Sequence, residues 1–168
     1  MQTESKPKVI FVIGVSGSGK STVGKLLAKE LNVVFIDADD HHPQSNIDKM
    51  SNGIPLNDSD REPWLDKLNE IAKSYLNVGC VIACSALKET YRERFSQSIS
   101  SQVKWVFLKG DYELILNRML SRENHYMDPK MLKSQFEALE EPVDAIVMNI
   151  ENSSEIIVEK INTMFTKK

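Results

Sequence analysis

The stretch FVIGVSGSGKST, residues 11–22, decides the fold. Within it, GVSGSGKS from Gly14 to Ser21 matches the pattern GxxxxGK followed by Ser or Thr. The apolar run KVIFVI (8–13) before it predicts a buried parallel strand, and residues 21–31 after it have apolar side chains at helical spacing. Such a strand–loop–helix turn presents successive backbone N–H groups that suit the β- and γ-phosphates of a nucleotide. We therefore expect the loop to hold a nucleoside triphosphate.

The residues of this loop have separate expected roles. Glycines allow the backbone to approach the phosphates closely, and Lys20 supplies a mobile positive charge to the β/γ oxygens, which makes it a candidate catalytic residue. The Ser21 hydroxyl is placed to ligate Mg²⁺. The predicted nucleotide-binding residues are Gly14, Val15, Ser16, Gly17, Ser18, Gly19, Lys20, Ser21 and Thr22.

Composition limits the class of protein. The chain has 168 residues, 41% of them hydrophobic and 27% charged, which predicts one soluble globular domain over 1–168 without a membrane span. Residues 1–8, MQTESKPK, are expected to form a flexible tail rather than a signal peptide, so a cytoplasmic location is expected. The net charge of −3 argues against a nucleic-acid binder. Cys80 and Cys84 lie in one predicted strand, roughly 13 Å apart, and are expected to be buried free thiols.

Strands and helices alternate along the rest of the chain. Asp60 or Ser59 is expected to cap a long helix with Pro63 in its first turn, Asp111 another, and Ser153 or Ser154 the last. This order predicts an α/β, three-layer P-loop NTPase fold, with about five parallel strands and helices on both faces. Further strands are predicted at 33–36, 80–85, 103–108 and 145–150, and further helices at 46–51, 87–96, 112–120 and 129–139.

Two carboxylates follow the second predicted strand. In VVFIDADD, Asp37 and Asp39 come at the carboxyl end of a sheet strand, where open α/β sheets bind ligands. Alternation in an extended segment would aim both side chains the same way. We interpret Asp37 as part of the Mg²⁺ shell, and Asp39 as the residue that orients, and helps to deprotonate, an acceptor hydroxyl. Solvated loop acids or a helix cap are the alternatives.

The rest of the sequence narrows the kind of phosphate chemistry. The DxxG and NKxD segments of GTPase switches do not occur, and the third strand ends in Ser85 rather than in the acid of an ATPase motor. A nucleoside monophosphate acceptor would call for several arginines, but residues 37–64 contain only Arg61. Many other polar residues there favour a small polyhydroxylated acceptor with at most one carboxylate. The adjacent His41 and His42 would point apart, so they are not predicted as metal ligands.

A second basic cluster lies in NRMLSRENHYM (117–127). Arg118 and Arg122 are four residues apart, on one face of the predicted helix, just before a polar break. Their position favours a small lid over about 121–129, whose arginines would close over the phosphates and exclude water. Solvated surface arginines are the alternative.

Several blocks of the chain together resemble the gluconate kinase (gluconokinase) family. They are GVSGSGKST, DADDHHPQSNIDKMSNGIPLNDSDREPWL, CSALKETYR, LKGDYELILNRMLSRENHYM and LKSQFEALEEP, which cover nearly the whole chain. The resemblance implies ATP-dependent phosphorylation of D-gluconate at its 6-hydroxyl, a fold similar to shikimate and adenylate kinases, a movable lid and a homodimer. It also implies that His42, Arg61 and the Ser85–Lys88 turn line the gluconate pocket, and that Arg118 and Arg122, the latter catalytic, lie near the phosphates.

This chain departs from the family pattern at two places. Ala38 stands where many relatives have glycine, which is harmless only if its φ is negative. Asp40 and His41 replace a position that is often apolar. Both departures concern substrate preference, so a kinase for another polyol or hydroxy-acid remains one alternative. A non-kinase regulatory protein that binds ATP is another.

Overall fold

The computed structural model describes residues 9–122 and 128–166. They form a five-stranded sheet in the order β2-β3-β1-β4-β5, in which every neighbouring pair is parallel. This confirms the predicted α/β fold. The elements are β1 (Val9–Ile13), α1 (Lys20–Leu31), β2 (Val34–Asp37), α2 (Gln44–Ser51), α3 (Asp58–Ser74), β3 (Cys80–Cys84), α4 (Glu89–Phe95), β4 (Val103–Lys109), α5 (Tyr112–Leu120), α6 (Pro129–Ala138), β5 (Ala145–Asn149) and α7 (Ser154–Thr166), with 3₁₀ turns at Ala38–His41 and Ser100–Gln102.

The central strand β1 is buried on both faces. Phe11 belongs to the core cluster that also includes Leu68 of α3 and Phe95 of α4. Val12, which points to the opposite face, belongs to a second cluster that includes Leu27 of α1. A continuous apolar run therefore forms this strand because each face needs its own apolar side chains.

The strand order determines where a ligand can bind. β1 pairs with β3, and β3 pairs with β2, so the carboxyl ends of these three strands meet at one edge. The phosphate loop follows β1, and Asp37 ends β2. The turn 85–88 follows β3, which brings three sequence-distant segments to the same end of the sheet.

The long helix α3 begins earlier than predicted. Asn57 is its N-cap: the Asn57 side chain accepts a hydrogen bond from Asp60 N (2.8 Å), while the Asp60 carboxylate accepts one from Asn57 N (3.0 Å). This reciprocal capping box satisfies two backbone donors at once, so the prediction of Asp60 or Ser59 as the cap was wrong. Pro63 consequently lies inside the helix, in its second turn rather than its first.

The structure confirms two other predicted helix caps. Asp111 caps α5 by accepting from Leu114 N (2.8 Å), and Ser153 accepts from Ile156 N (3.3 Å) at the start of α7. Leu120, the last residue of α5, is 65% exposed. Cys80 and Cys84 are buried and free, as predicted.

The described helices include none that is both long and apolar enough to cross a membrane. The tail predicted at 1–8 and residues 123–127 of the predicted lid lie outside the described residues.

Candidate active site

The phosphate loop is a tightly turned segment between β1 and α1. Gly17 has a φ of +79°, and a Cβ there would lie 2.8 Å from Met119 Cγ on α5. Gly19 has a φ of +94°, but a Cβ there would meet nothing within 4 Å. The left-handed backbone explains the glycines. One side of the loop packs against α5, while the side at Gly19 faces open space.

Hydrogen bonds inside the loop hold the predicted lysine close to the backbone. Lys20 Nζ donates to Val15 O (3.0 Å), and Ser18 N donates to the same carbonyl (3.2 Å). Burial lowers the pKa of Lys20, whereas the nearby groups, Asp39 and Asp37 among them, act in the opposite direction. The Ser18 hydroxyl is buried and has no hydrogen-bond partner among the described residues. The loop thus retains an unused polar group and a cation next to two carboxylates.

The two residues predicted to ligate the metal, Ser21 and Asp37, are in contact. One oxygen of the Asp37 carboxylate accepts a hydrogen bond from Ser21 Oγ (3.4 Å), and the other accepts from Asp39 N (3.0 Å). The second bond caps the 3₁₀ turn Ala38–His41, so the prediction that Asp37 and Asp39 alternate in an extended segment was wrong. Asp37 is therefore both a cap, as one alternative proposed, and a neighbour of the Ser21 hydroxyl.

The turn after Asp37 is fixed by the core. Ala38 is fully buried, and its carbonyl accepts a hydrogen bond from Trp64 Nε1 (2.8 Å). The described non-glycine residues with positive φ are Asn32, Ala86 and Ser98, so alanine at position 38 is unstrained.

Asp39 and His42 form the next part of the site. Partial loss of hydration, followed by repulsion from Asp37, raises the pKa of Asp39, while Lys20 and His42 oppose the rise. Burial lowers the pKa of His42. The His42 ring stacks on Trp64 with centroids 4.4 Å apart, which fixes the orientation of the imidazole.

Two further cations lie around one carboxylate, Asp58, in the region where the resemblance implies the gluconate pocket. Asp58 Oδ1 accepts from the Tyr91 hydroxyl (2.5 Å) and from Lys88 Nζ (3.3 Å), and Arg61 Nη1 lies 4.0 Å away. These bonds, that of Tyr91 first, lower the pKa of Asp58. The structure thus brings Arg61 and Lys88 together, as the resemblance implied. Sequence reasoning missed Tyr91 and the role of Asp58, because 33 residues separate Asp58 from Tyr91 and 30 separate it from Lys88.

The turn after β3 adjoins the phosphate loop directly. Gly14 N donates to Ser85 O at 3.4 Å. Ala86 has a φ of +43°, and its carbonyl accepts from the buried Arg92 guanidinium (2.7 Å), which also donates to Glu140 O (2.8 Å). Arg92 is a supporting residue that the sequence did not reveal, since its partners are carbonyls.

The two arginines at the end of α5 do not share a helical face. Arg118 Nη2 donates to Ile150 O (2.5 Å), next to the end of β5. Arg122 is exposed and lies beyond the end of the helix at Leu120. The predicted four-residue helical pair is therefore wrong, and in this structure neither guanidinium has a described contact with the phosphate loop.

The arrangement suits a magnesium ion held in part by phosphates. Within residues 9–122 and 128–166, His, Cys, Asp and Glu form no group of three or more that could hold a metal. The Ser21–Asp37 pair offers one hydroxyl and one carboxylate oxygen. Mg²⁺ typically binds through one or two carboxylates, substrate phosphates and water, so these residues fit the ion.

The parallel sheet, the phosphate loop after its central strand and the carboxylates after β2 define the class of a P-loop small-molecule kinase. The model of the shikimate kinase family matches residues 16–165. The thermosensitive gluconokinase of Escherichia coli (strain K12) is 51% identical over 134 residues, 79% of this chain and 71% of that protein. The chain belongs to the gluconokinase family within this wider group of kinases.

Two further comparisons support the same family over nearly the full length of this chain. The thermoresistant gluconokinase of Escherichia coli (strain K12) is 41% identical over 165 residues, 94% of each chain. The crystal structure of a gluconokinase from Sinorhizobium meliloti 1021 superposes with a TM-score of 0.87 at 38% identity, covering 96% of this chain and 93% of that one.

Proposed function

We propose that this protein transfers the γ-phosphoryl group of ATP to the 6-hydroxyl of D-gluconate, giving 6-phospho-D-gluconate and ADP. The observation that carries this proposal is that the Asp37 carboxylate accepts hydrogen bonds both from Ser21 Oγ (3.4 Å) and from Asp39 N (3.0 Å). These bonds join the phosphate loop to the turn that carries Asp39, the carboxylate expected to handle the acceptor. The family membership supports the same reaction.

On the nucleotide side, the loop amides and Lys20 bind the triphosphate. Lys20 exchanges its bond to Val15 O for phosphate oxygens. Ser21 and Asp37 would hold Mg²⁺, which would supply neutralisation of the phosphate charge when bound. Thr22, the next residue, is exposed on the first turn of α1.

On the acceptor side, Asp39 orients the 6-hydroxyl and receives its proton. The acceptor oxygen forms a bond to the γ-phosphorus, and the bond between that phosphorus and the β–γ bridging oxygen breaks, so this oxygen leaves on ADP. A raised pKa makes Asp39 a better proton acceptor than an ordinary aspartate. His42 and Ser85 would contact the sugar-acid hydroxyls, while Arg61 and Lys88 would face the carboxylate.

Arg118 and Arg122 are proposed to approach the phosphates when both substrates are bound. This requires Arg118 to release Ile150 O. Guanidinium groups there would stabilise charge on the transferred group and replace water that would hydrolyse ATP.

The proposal is tested by coupled ADP release with and without D-gluconate, with the product mass and phosphorylated carbon recorded. ADP release that depends on gluconate and a 6-phosphate product are expected. Faster turnover with another sugar acid or polyol would favour the alternative kinase. An ADP rate that ignores every acceptor would favour the regulatory protein.

We also propose that the chain is a single kinase domain that forms a homodimer in the cytoplasm, as the family resemblance implies. Sedimentation velocity should give a mass of twice the 19.1 kDa chain. A species of one chain mass at micromolar concentration would contradict the dimer.

A further inference from the structure

Gln135 of α6 contacts the phosphate loop across 119 residues of sequence. Its side-chain carbonyl accepts a hydrogen bond from Ser16 N (2.7 Å), and its amide nitrogen donates to Ser16 Oγ (2.9 Å). The residue lies in the LKSQFEALEEP block, to which sequence analysis assigned no role. A primary amide that binds both the backbone N–H and the hydroxyl of one residue fixes that residue in position and orientation.

The helix that carries Gln135 is held at several points. Leu132 is fully buried, and the Phe136 ring packs edge-on against Tyr112 with centroids 5.6 Å apart. Just beyond the helix, Glu140 N donates to Leu87 O (2.8 Å). Gln135 is thus presented to the loop by a helix that is anchored to the core and to the acceptor-side turn.

Ser16 occupies a sensitive place in the loop. Val15 before it accepts the bonds from Lys20 Nζ and Ser18 N, and Gly17 after it packs against Met119. A fixed Ser16 joins these two anchored parts. An amide array that is preformed before the ligand arrives binds more tightly, because less conformational freedom is lost on binding.

We infer that Gln135 is a positioning residue for the triphosphate: it holds Ser16 so that the amides of the phosphate loop are preorganised for nucleotide. The inference rests on the proposed function only in that the loop binds ATP. The identity of the acceptor does not enter it.

The test measures the Kd of magnesium-ATP by calorimetry without any sugar acid, together with the melting temperature, for four single variants of the full chain and for one double variant. Gln135→Leu removes both hydrogen bonds at similar volume, and Gln135→Asn keeps an amide that is one methylene too short. Ser16→Ala removes only the hydroxyl partner. Gln97→Leu, at an exposed loop position, is the matched control.

We expect Gln135→Leu and Gln135→Asn each to raise the ATP Kd about tenfold, with Ser16→Ala causing a smaller rise. The double variant Ser16→Ala/Gln135→Leu should be no weaker than Gln135→Leu alone, because one interaction is lost in both. Gln97→Leu should leave the Kd unchanged. If Gln135→Leu does not fold, Gln135→Asn and Ser16→Ala carry the test.

Two results would overturn the inference. One is an unchanged ATP Kd in folded Gln135 variants, and the other is additivity of the Ser16 and Gln135 effects. Failure of the proposed function would give a different result: the wild-type chain would bind ATP but show no gluconate-dependent turnover.

Discussion

At the scale of single residues, the site depends on charges that are held close together and partly removed from water. Asp37 contacts both Ser21 Oγ of the phosphate loop and the backbone N of Asp39, and loss of hydration lowers the pKa of Lys20 while it raises that of Asp39. Such opposed shifts are typical of sites where a proton must move and a phosphate must bind. Both shifts begin with loss of hydration, so they depend on the folded cleft.

Removing the loop lysine should abolish phosphoryl transfer. Lys20→Ala deletes the cation expected at the β/γ oxygens, so kcat should fall at least about a hundredfold in a coupled ADP assay. Lys25→Ala, an exposed cation on the same helix, is the control and should retain activity. Near-normal turnover in Lys20→Ala would contradict its assigned role.

Neutralising Asp39 should lower activity and raise stability. Because the folded-state pKa of Asp39 is raised, the protonated form is favoured in the folded protein, and its contribution to stability is present at low pH and lost as pH rises through that pKa. Asp39→Asn mimics the protonated form. Its melting temperature should therefore exceed that of the wild type at pH 7, and the difference should vanish below about pH 4.

The same variant distinguishes a role of Asp39 toward the acceptor from a role toward ATP. Asp39→Asn should reduce kcat strongly while the ATP Kd stays largely unchanged, because Asp39 is assigned to the acceptor. Asp40→Asn, the exposed neighbour, should change neither quantity. Equal losses of ATP affinity and kcat in Asp39→Asn would place this carboxylate on the nucleotide side instead.

At the scale of elements, helix α3 connects the core to the proposed acceptor-binding residues. Its first turn carries Asp58 and Arg61, while Trp64 and Leu68 further along are buried. The capping box at Asn57 therefore fixes the backbone that presents two residues of the proposed site.

Loss of the cap should destabilise the protein measurably. Asn57→Ala removes the side chain that accepts from Asp60 N, and the free energy of unfolding in urea should fall by about 1 kcal/mol. Ser59→Ala, two residues along and exposed, should change it by less than about 0.5 kcal/mol. A larger effect at Ser59 than at Asn57 would contradict the observed cap.

Elements were predictable from sequence to different extents. The apolar run of β1 and the GxxxxGK pattern predicted the strand, the loop and the following helix, because these features are local. The α3 cap was missed since two polar candidates follow Asn57 and the choice depends on reciprocal geometry. The turn at Ala38 was missed because a buried Trp64 indole, 26 residues away, fixes it.

At the scale of the whole molecule, the sheet order assembles the site from distant segments. β1, β2 and β3 bring the phosphate loop, Asp37 and the Ser85 turn to one edge. The residue types in the sequence indicated the phosphate loop, Asp37 and the Ser85 turn as parts of the site. The contact of Asp58 with Tyr91, however, joins residues 33 positions apart, and that of Ser16 with Gln135 joins residues 119 positions apart. No local pattern specifies such pairs.

Substitution of the buried Arg92 tests how the turn after β3 is held in place at the site. Arg92→Leu leaves the carbonyls of Ala86 and Glu140 without their donor, so the free energy of unfolding should fall by about 2–4 kcal/mol. Arg94→Leu breaks only an exposed ion pair with Asp66 and should cost less than about 1 kcal/mol. Urea unfolding of both variants makes the comparison, and equal costs would contradict a supporting role for Arg92.

The central claim is that one cleft holds the nucleotide and the sugar acid face to face. The most direct measurement is a crystal structure with a non-hydrolysable ATP analogue and D-gluconate bound together. We expect the 6-hydroxyl oxygen to lie about 3–3.5 Å from the γ-phosphorus, with Asp39 in hydrogen-bond contact with that hydroxyl. Gluconate bound in a different cavity, or with its 6-hydroxyl turned away from the triphosphate, would contradict the account.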